Sequence, residues 1–210
     1  KTEFMKNILI LLGLLFAVCS CDDYFHDSGL ADGKHDCTMW EYLNTQPQDW
    51  DSTVLLIERA GLVDLFDGKD HEHPEITFFG VTDLSIEQFL LKTVDEEDEP
   101  LYARVDDIPV DLCREMLLSH VVPGKIMKEE FDYEVKGTLT GGTMVTTLSG
   151  VELRVYRTRS EYGGVPDIGA EGLSIHAMVS GQMASVASAN IETRSGVVHS
   201  LSYTYQFTEL

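Results

Sequence analysis

The chain has 210 residues, 43% of them hydrophobic and 24% charged, which is enough apolar material for one ordinary core. Fifteen Lys and Arg stand against 36 Asp and Glu, a formal net charge of −21. That balance excludes nucleic acid as a partner, because phosphate binding needs clustered cations, and it opposes direct adsorption to anionic lipid.

Lys1 to Phe4 precede Met5 and read as an upstream extension. Lys6 then leads into an apolar run from Ile8 to Val18, interrupted only by Gly13. The run is short for a bilayer span and has the length of a signal-peptide core. It ends in Val18-Cys19-Ser20-Cys21. A small residue just before a Cys, after an apolar stretch, resembles a bacterial lipobox. Residues 1–20 are then the signal and Cys21 is the lipid-bearing first residue. Asp22 and Asp23 follow directly, similar to the tags with which some Gram-negative bacteria send lipoproteins outward across the outer membrane. Residues 21–37 are polar and acidic, without apolar periodicity, and are expected to form a flexible tether. A single domain over 38–210 is expected beyond it. Cys37 and Cys113 are the cysteines of the exported body, and either one disulfide or two free thiols fits an oxidising envelope.

Thr38-Met39-Trp40-Glu41 is a capping box and predicts a short helix. Asp51 or Ser52 caps a second helix carrying Val54, Leu55 and Ile57, with Gly61 as its left-handed stop. Leu62, Val63, Leu65 and Phe66 form a helical turn ending near Gly68. Ile76 to Phe79 is a short strand. Asp83 or Ser85 opens a helix over 86–91. The acidic run 94–100 reads as a solvated loop. Pro109 suits the first turn of a helix bearing Val110, Leu112, Cys113, Met116 and Leu117. From Tyr133 the period changes to two, with strands expected over 133–139, 143–148, 151–158, 173–179, 183–191 and 197–207. Tyr203, Tyr205 and Phe207 then share one face, as cross-strand packing or as a platform for stacking sugars. Helices before a strand-rich half give an α+β layout with an antiparallel sheet or sandwich.

Three blocks carry a family resemblance. Ile76-Thr77-Phe78-Phe79-Gly80-Val81-Thr82-Asp83, Leu117 to Gly124 around His120, and Ser195-Gly196-Val197-Val198-His199 occur in order along the chain. Together they resemble the signature blocks of the fasciclin domain over roughly residues 38–208. Thr77, Phe79, Thr82, Asp83, His120, Gly196, Val197, Val198 and His199 are the matching positions. The resemblance implies a wedge-shaped β-sandwich with N-terminal helices packed at one side, and a non-enzymatic adhesion or binding module. Gly80-Val81 replaces the usual Ala-Pro, Ser119 stands where Tyr is usual, and Asn190-Ile191 stands where an Asp-Ile pair is typical. Integrin binding is therefore not carried over, and Val165-Pro166-Asp167-Ile168 is read as coincidence.

His120 and His199 are expected to be buried and bonded to backbone. Asp70-His71-Glu72-His73 lacks any standard metal-ligand spacing and reads as loop, so no metal and no cofactor are expected. Ser174 and His176 share a strand face, but the sequence places no acid beside them. The partner is expected to be a protein or glycan at the cell surface, with membrane attachment through lipid on Cys21. An accessory glycan-binding lipoprotein of an outer-membrane nutrient-import system is the alternative.

Overall fold

Thr38 opens the folded body as its capping box requires. Its hydroxyl accepts the Glu41 amide at 3.2 Å, and Glu41 takes the Thr38 amide at 2.8 Å. A computed structural model describes residues 33–207 and Leu210. The expected signal, the lipobox and Cys21 lie outside the described residues.

Helix α1 spans Met39–Thr45, α2 Pro47–Arg59, α3 Val63–Phe66, α4 Asp83–Lys92 and α5 Val110–Leu118. Helix α2 starts earlier than expected, with Pro47 in the first turn, where its missing amide costs nothing. Gly61 follows it at φ 65°, as anticipated. The inward faces of these helices supply Met39, Leu43, Leu56, Ile57, Met116 and Leu117 to the core, each about 1.5–3 kcal/mol of burial.

The strands are β1 (Ile76–Gly80), β2 (Val121–Pro123), β3 (Thr143–Thr146), β4 (Glu152–Arg159), β5 (Glu171–Ala177), β6 (Met183–Thr193) and β7 (Gly196–Leu201). They form one sheet in the order β2-β1-β7-β6-β5-β4-β3. The near end of β6 pairs with β5 and its far end with β7, so one bent strand serves both halves. Leu148, just past β3, donates to the Val121 carbonyl at 2.8 Å and draws the sheet's two edges together into a wedge.

Four expectations change. The β1–β7 pair is parallel while the other strand pairs are antiparallel. Alternation reports which face is buried, and it is silent on pairing direction. The 133–139 segment is not a strand. It makes isolated bridges at Tyr133 and Glu134, while Val135 and Leu139 face solvent. The last strand stops at Leu201, and a turn at Ser202–Thr204 breaks the expected aromatic row: Tyr203 is 63% exposed, Tyr205 5% and Phe207 0%. Gly33 to Cys37, which composition assigns to the tether, run beside the end of β6. His35 donates to Glu192 O, Glu192 donates to Gly33 O, and Arg194 donates to Cys37 O. Cys37 and Cys113 are both free thiols, Cys113 buried.

Candidate functional site

The three sequence blocks meet in space. Strands β2, β1 and β7 are neighbours, so Thr77 lies opposite Val197 and Phe79 opposite His199, while the Phe79 amide donates to His120 O at 2.9 Å. Thr77 donates its hydroxyl to Gly124 O at 2.7 Å and accepts the Ile126 amide at 2.9 Å, tying β1 to the loop after β2. Phe79, Val197 and Val198 are fully buried. These positions are therefore committed to holding the sheet together.

Both histidines are buried, as expected. Nδ1 of His120 lies 2.7 Å from Met116 O, which can only accept, so Nδ1 carries the proton. Nε2 is then free to accept, and it accepts a hydrogen bond from the Tyr205 hydroxyl at 2.8 Å. The partner Tyr205 lies 85 residues away and had no sequence signal pointing to His120. Burial pushes the His120 pKa down to about 4. His199 Nε2 lies 3.0 Å from Ile126 O, its ring stacks on Phe79, and burial lowers its pKa as well.

Two glycines show why the blocks read as they do. At Gly196 (φ 140°) an added Cβ would sit 1.9 Å from Ile76 O, inside the parallel β1–β7 contact. At Gly80 a Cβ would sit 2.6 Å from the Trp50 ring, which explains Gly in place of the usual Ala. Ser195, the first residue of the third block, accepts the Met39 amide at 2.7 Å and donates to Phe66 O at 2.8 Å, a role its sequence context did not signal. One hydroxyl thus pins the start of α1 and the end of α3 to the β6–β7 turn.

Asp83 does not cap α4. Thr82 holds the cap position without a side-chain bond, and Asp83 reaches across to the Asp51 and Ser52 amides of α2 at 3.0 and 2.8 Å. Burial pushes its carboxyl pKa up, opposed by those amides. Asn190 stands at φ 61°, a conformation that Asn tolerates better than most residues. Its carbonyl oxygen accepts the Lys128 amide at 2.7 Å and its nitrogen donates to Glu129 at 2.7 Å. An Asp here would point a second carboxylate at Glu129.

Beside these residues lies a cleft of about 350 Å³, within the range of small-molecule sites. Tyr42 and Trp50 line it from α1 and α2, Thr82 and Asp83 from the start of α4, Ser188 from β6, and Tyr203 from the turn after β7. The register of β6 against β7 shifts on both sides of Ser188. Such bulges re-aim side chains and interrupt pairing. A second cleft of about 310 Å³ holds Tyr133, Lys136, Arg157 and Arg159. Both guanidiniums lie over the Tyr133 ring, at 4.1 and 4.5 Å. Its charges are largely matched within the protein. Glu171 binds Arg159 at 2.8 Å and accepts the Tyr133 hydroxyl, and Asp167 binds Lys136 at 2.6 Å.

The remaining sequence candidates stay apart. Asp70 folds back on the Glu72 and His73 amides at 2.8 and 3.0 Å. Among the described residues no group of three His, Cys, Asp or Glu is placed to hold a metal ion. His176 is buried, and its Nδ1 has no hydrogen-bond partner. No helix among the described residues is long and apolar enough to cross a membrane.

The architecture defines a class: a helix-fronted α+β wedge whose three adjacent strands β2, β1 and β7 carry three short sequence blocks. Residues 48–204 match the fasciclin domain, and the chain belongs to that family. A solved FAS1 domain pair from the insect cell adhesion molecule fasciclin I is similar in fold, with a TM-score of 0.55 at 15% identity. The likeness covers 82% of this chain and 51% of that one, so the chain spans about half the length of that solved structure. No curated protein matches the chain. The expected α+β, fasciclin-like fold is borne out on both family and structure.

Proposed function

We propose that the protein is a non-enzymatic adhesion module, held at the cell surface by lipid on Cys21 and binding a protein or glycan there. Membership of the fasciclin family over residues 48–204 carries this reading. The buried blocks support it: Thr77, His120 and His199 spend their polar groups on bonds inside the protein, which leaves clefts and loops as the surfaces able to meet a partner. The similar insect structure belongs to a cell adhesion molecule, which accords with the same role. The lipobox-like Cys21 and the acidic pair behind it support a position on the outer membrane, facing outward. The excess of acidic side chains keeps such a surface soluble and self-repelling.

The test is retention in flow. Cells displaying the full chain are passed over a layer of matching cells or their extracted surface polymers, beside cells expressing Cys21→Ala. Displayed wild type should raise retention several-fold and Cys21→Ala should not. Equal retention of both strains sinks the adhesion reading.

A further inference from the structure

The cleft beside α2 carries chemistry that the fold leaves unused. Its lining contains no Lys or Arg, which removes anions as ligands. The Asp83 carboxylate is already held by two amides, whereas Asp49 and Gln48 are exposed at the rim. Thr82 contributes a buried hydroxyl with no hydrogen-bond partner, a group that gains free energy when a ligand completes it. Tyr203 offers an aromatic face that is 63% exposed on a fixed turn. Tyr205 N donates to Ser202 O at 2.8 Å, Ser202 and Thr204 share a hydroxyl bond at 3.0 Å, and Gln88 donates to Tyr203 O at 2.9 Å. These bonds fix the turn that carries the ring, and a tyrosine, with two side-chain torsions, loses little freedom when something stacks on it.

We propose that this cleft is a subsite for one neutral pyranose ring of a surface glycan. The ring's C–H face lies on Tyr203, and its hydroxyls bond to Asp49, Gln48, Ser188 and Thr82. The assignment rests on the adhesion reading for its setting and on the lining for its chemistry. A sugar ring presents an apolar face together with hydroxyls that both donate and accept, and the lining has partners for each. An aliphatic side chain from a partner protein would fill the same space but offer no hydrogen-bond partner to the Thr82 and Ser188 hydroxyls. The β6 irregularities on both sides of Ser188, which itself stays paired with Ser200, fit the same purpose, because such shifts re-aim side chains away from the regular alternation.

The test uses the ¹⁵N-labelled full chain titrated with cellotriose, maltotriose, mannotriose and β-1,4-galactotriose, with trigalacturonate as the charged control. At least one neutral trisaccharide should shift the Thr82, Ser188, Ser200 and Tyr203 amides with a millimolar Kd. Tyr203→Ala should weaken it about ten-fold, and Tyr203→Phe should keep it. Tyr203 uses only its carbonyl in holding the turn to α4, so both variants retain the fold. The proposal is overturned if no neutral trisaccharide moves these amides at about 20 mM, a ceiling well above millimolar binding. It is also overturned if Tyr203→Ala binds as wild type does, or if trigalacturonate binds better than all four. Cell retention is read in parallel. Retention without sugar binding sinks this subsite alone, and sugar binding without retention sinks the adhesion reading alone.

Discussion

Acid should weaken the fold well above the range in which exposed carboxylates titrate, and His120 is the reason. The folded protein holds this imidazole neutral until about pH 4, while an unfolded chain protonates it near 6.5. Between those values the unfolded state binds the extra proton, so stability falls as pH falls and is constant below both. At about 1.4 kcal/mol per pH unit, the full window is worth about 3 kcal/mol, and a drop from pH 6.5 to pH 5 about 2 kcal/mol. His199 shifts in the same direction and adds to the slope. Urea unfolding at constant ionic strength should show the midpoint falling steadily from pH 6.5 to pH 5. His120→Gln should start less stable and lose much of that slope. The imidazole signal of His120 should stay neutral down to pH 5 in folded protein. A flat stability profile over this range, or the same slope in His120→Gln, would refute the argument.

Other substitutions follow from single contacts. Gly196→Ala forces a Cβ onto Ile76 O and should cost at least about 3 kcal/mol, read as a lowered urea midpoint or failure to fold. Ser195→Ala leaves the Met39 amide and the Phe66 carbonyl without their partner and should cost about 1–3 kcal/mol, with faster amide exchange at Met39. Asn190→Asp turns the donor facing Glu129 into a carboxylate and should cost about 1 kcal/mol or more at neutral pH. That loss should shrink as pH falls far enough to protonate either acid.

Local signals in the sequence were legible where one residue's chemistry settles one feature. The Thr38–Glu41 capping box, the stop at Gly61 and the strands β4 and β5 all appear near where the residues put them. The three blocks were legible as blocks, and the burial of His120 and His199 followed from their apolar neighbours. What escaped was long-range. The parallel β1–β7 pairing joins segments some 120 residues apart, and neither strand encodes its neighbour. The Tyr205–His120 bond and the Ser195 anchor depend on the same closure. Alternation overran at 133–139 and beyond Leu201, because Gly137, Gly141 and the Ser202–Thr204 turn break the chain's course while side chains keep alternating. The cleft was invisible because its lining comes from four separate segments and from two register shifts in β6.

The most direct measurement of the central claim is protease accessibility on intact cells expressing wild type, Cys21→Ala and Asp22→Ala/Asp23→Ala. The account predicts that wild type is digested from outside, that Cys21→Ala appears in the soluble fraction, and that the double Asp variant is protected. Wild type that resists protease until the outer membrane is opened would contradict a surface adhesion module.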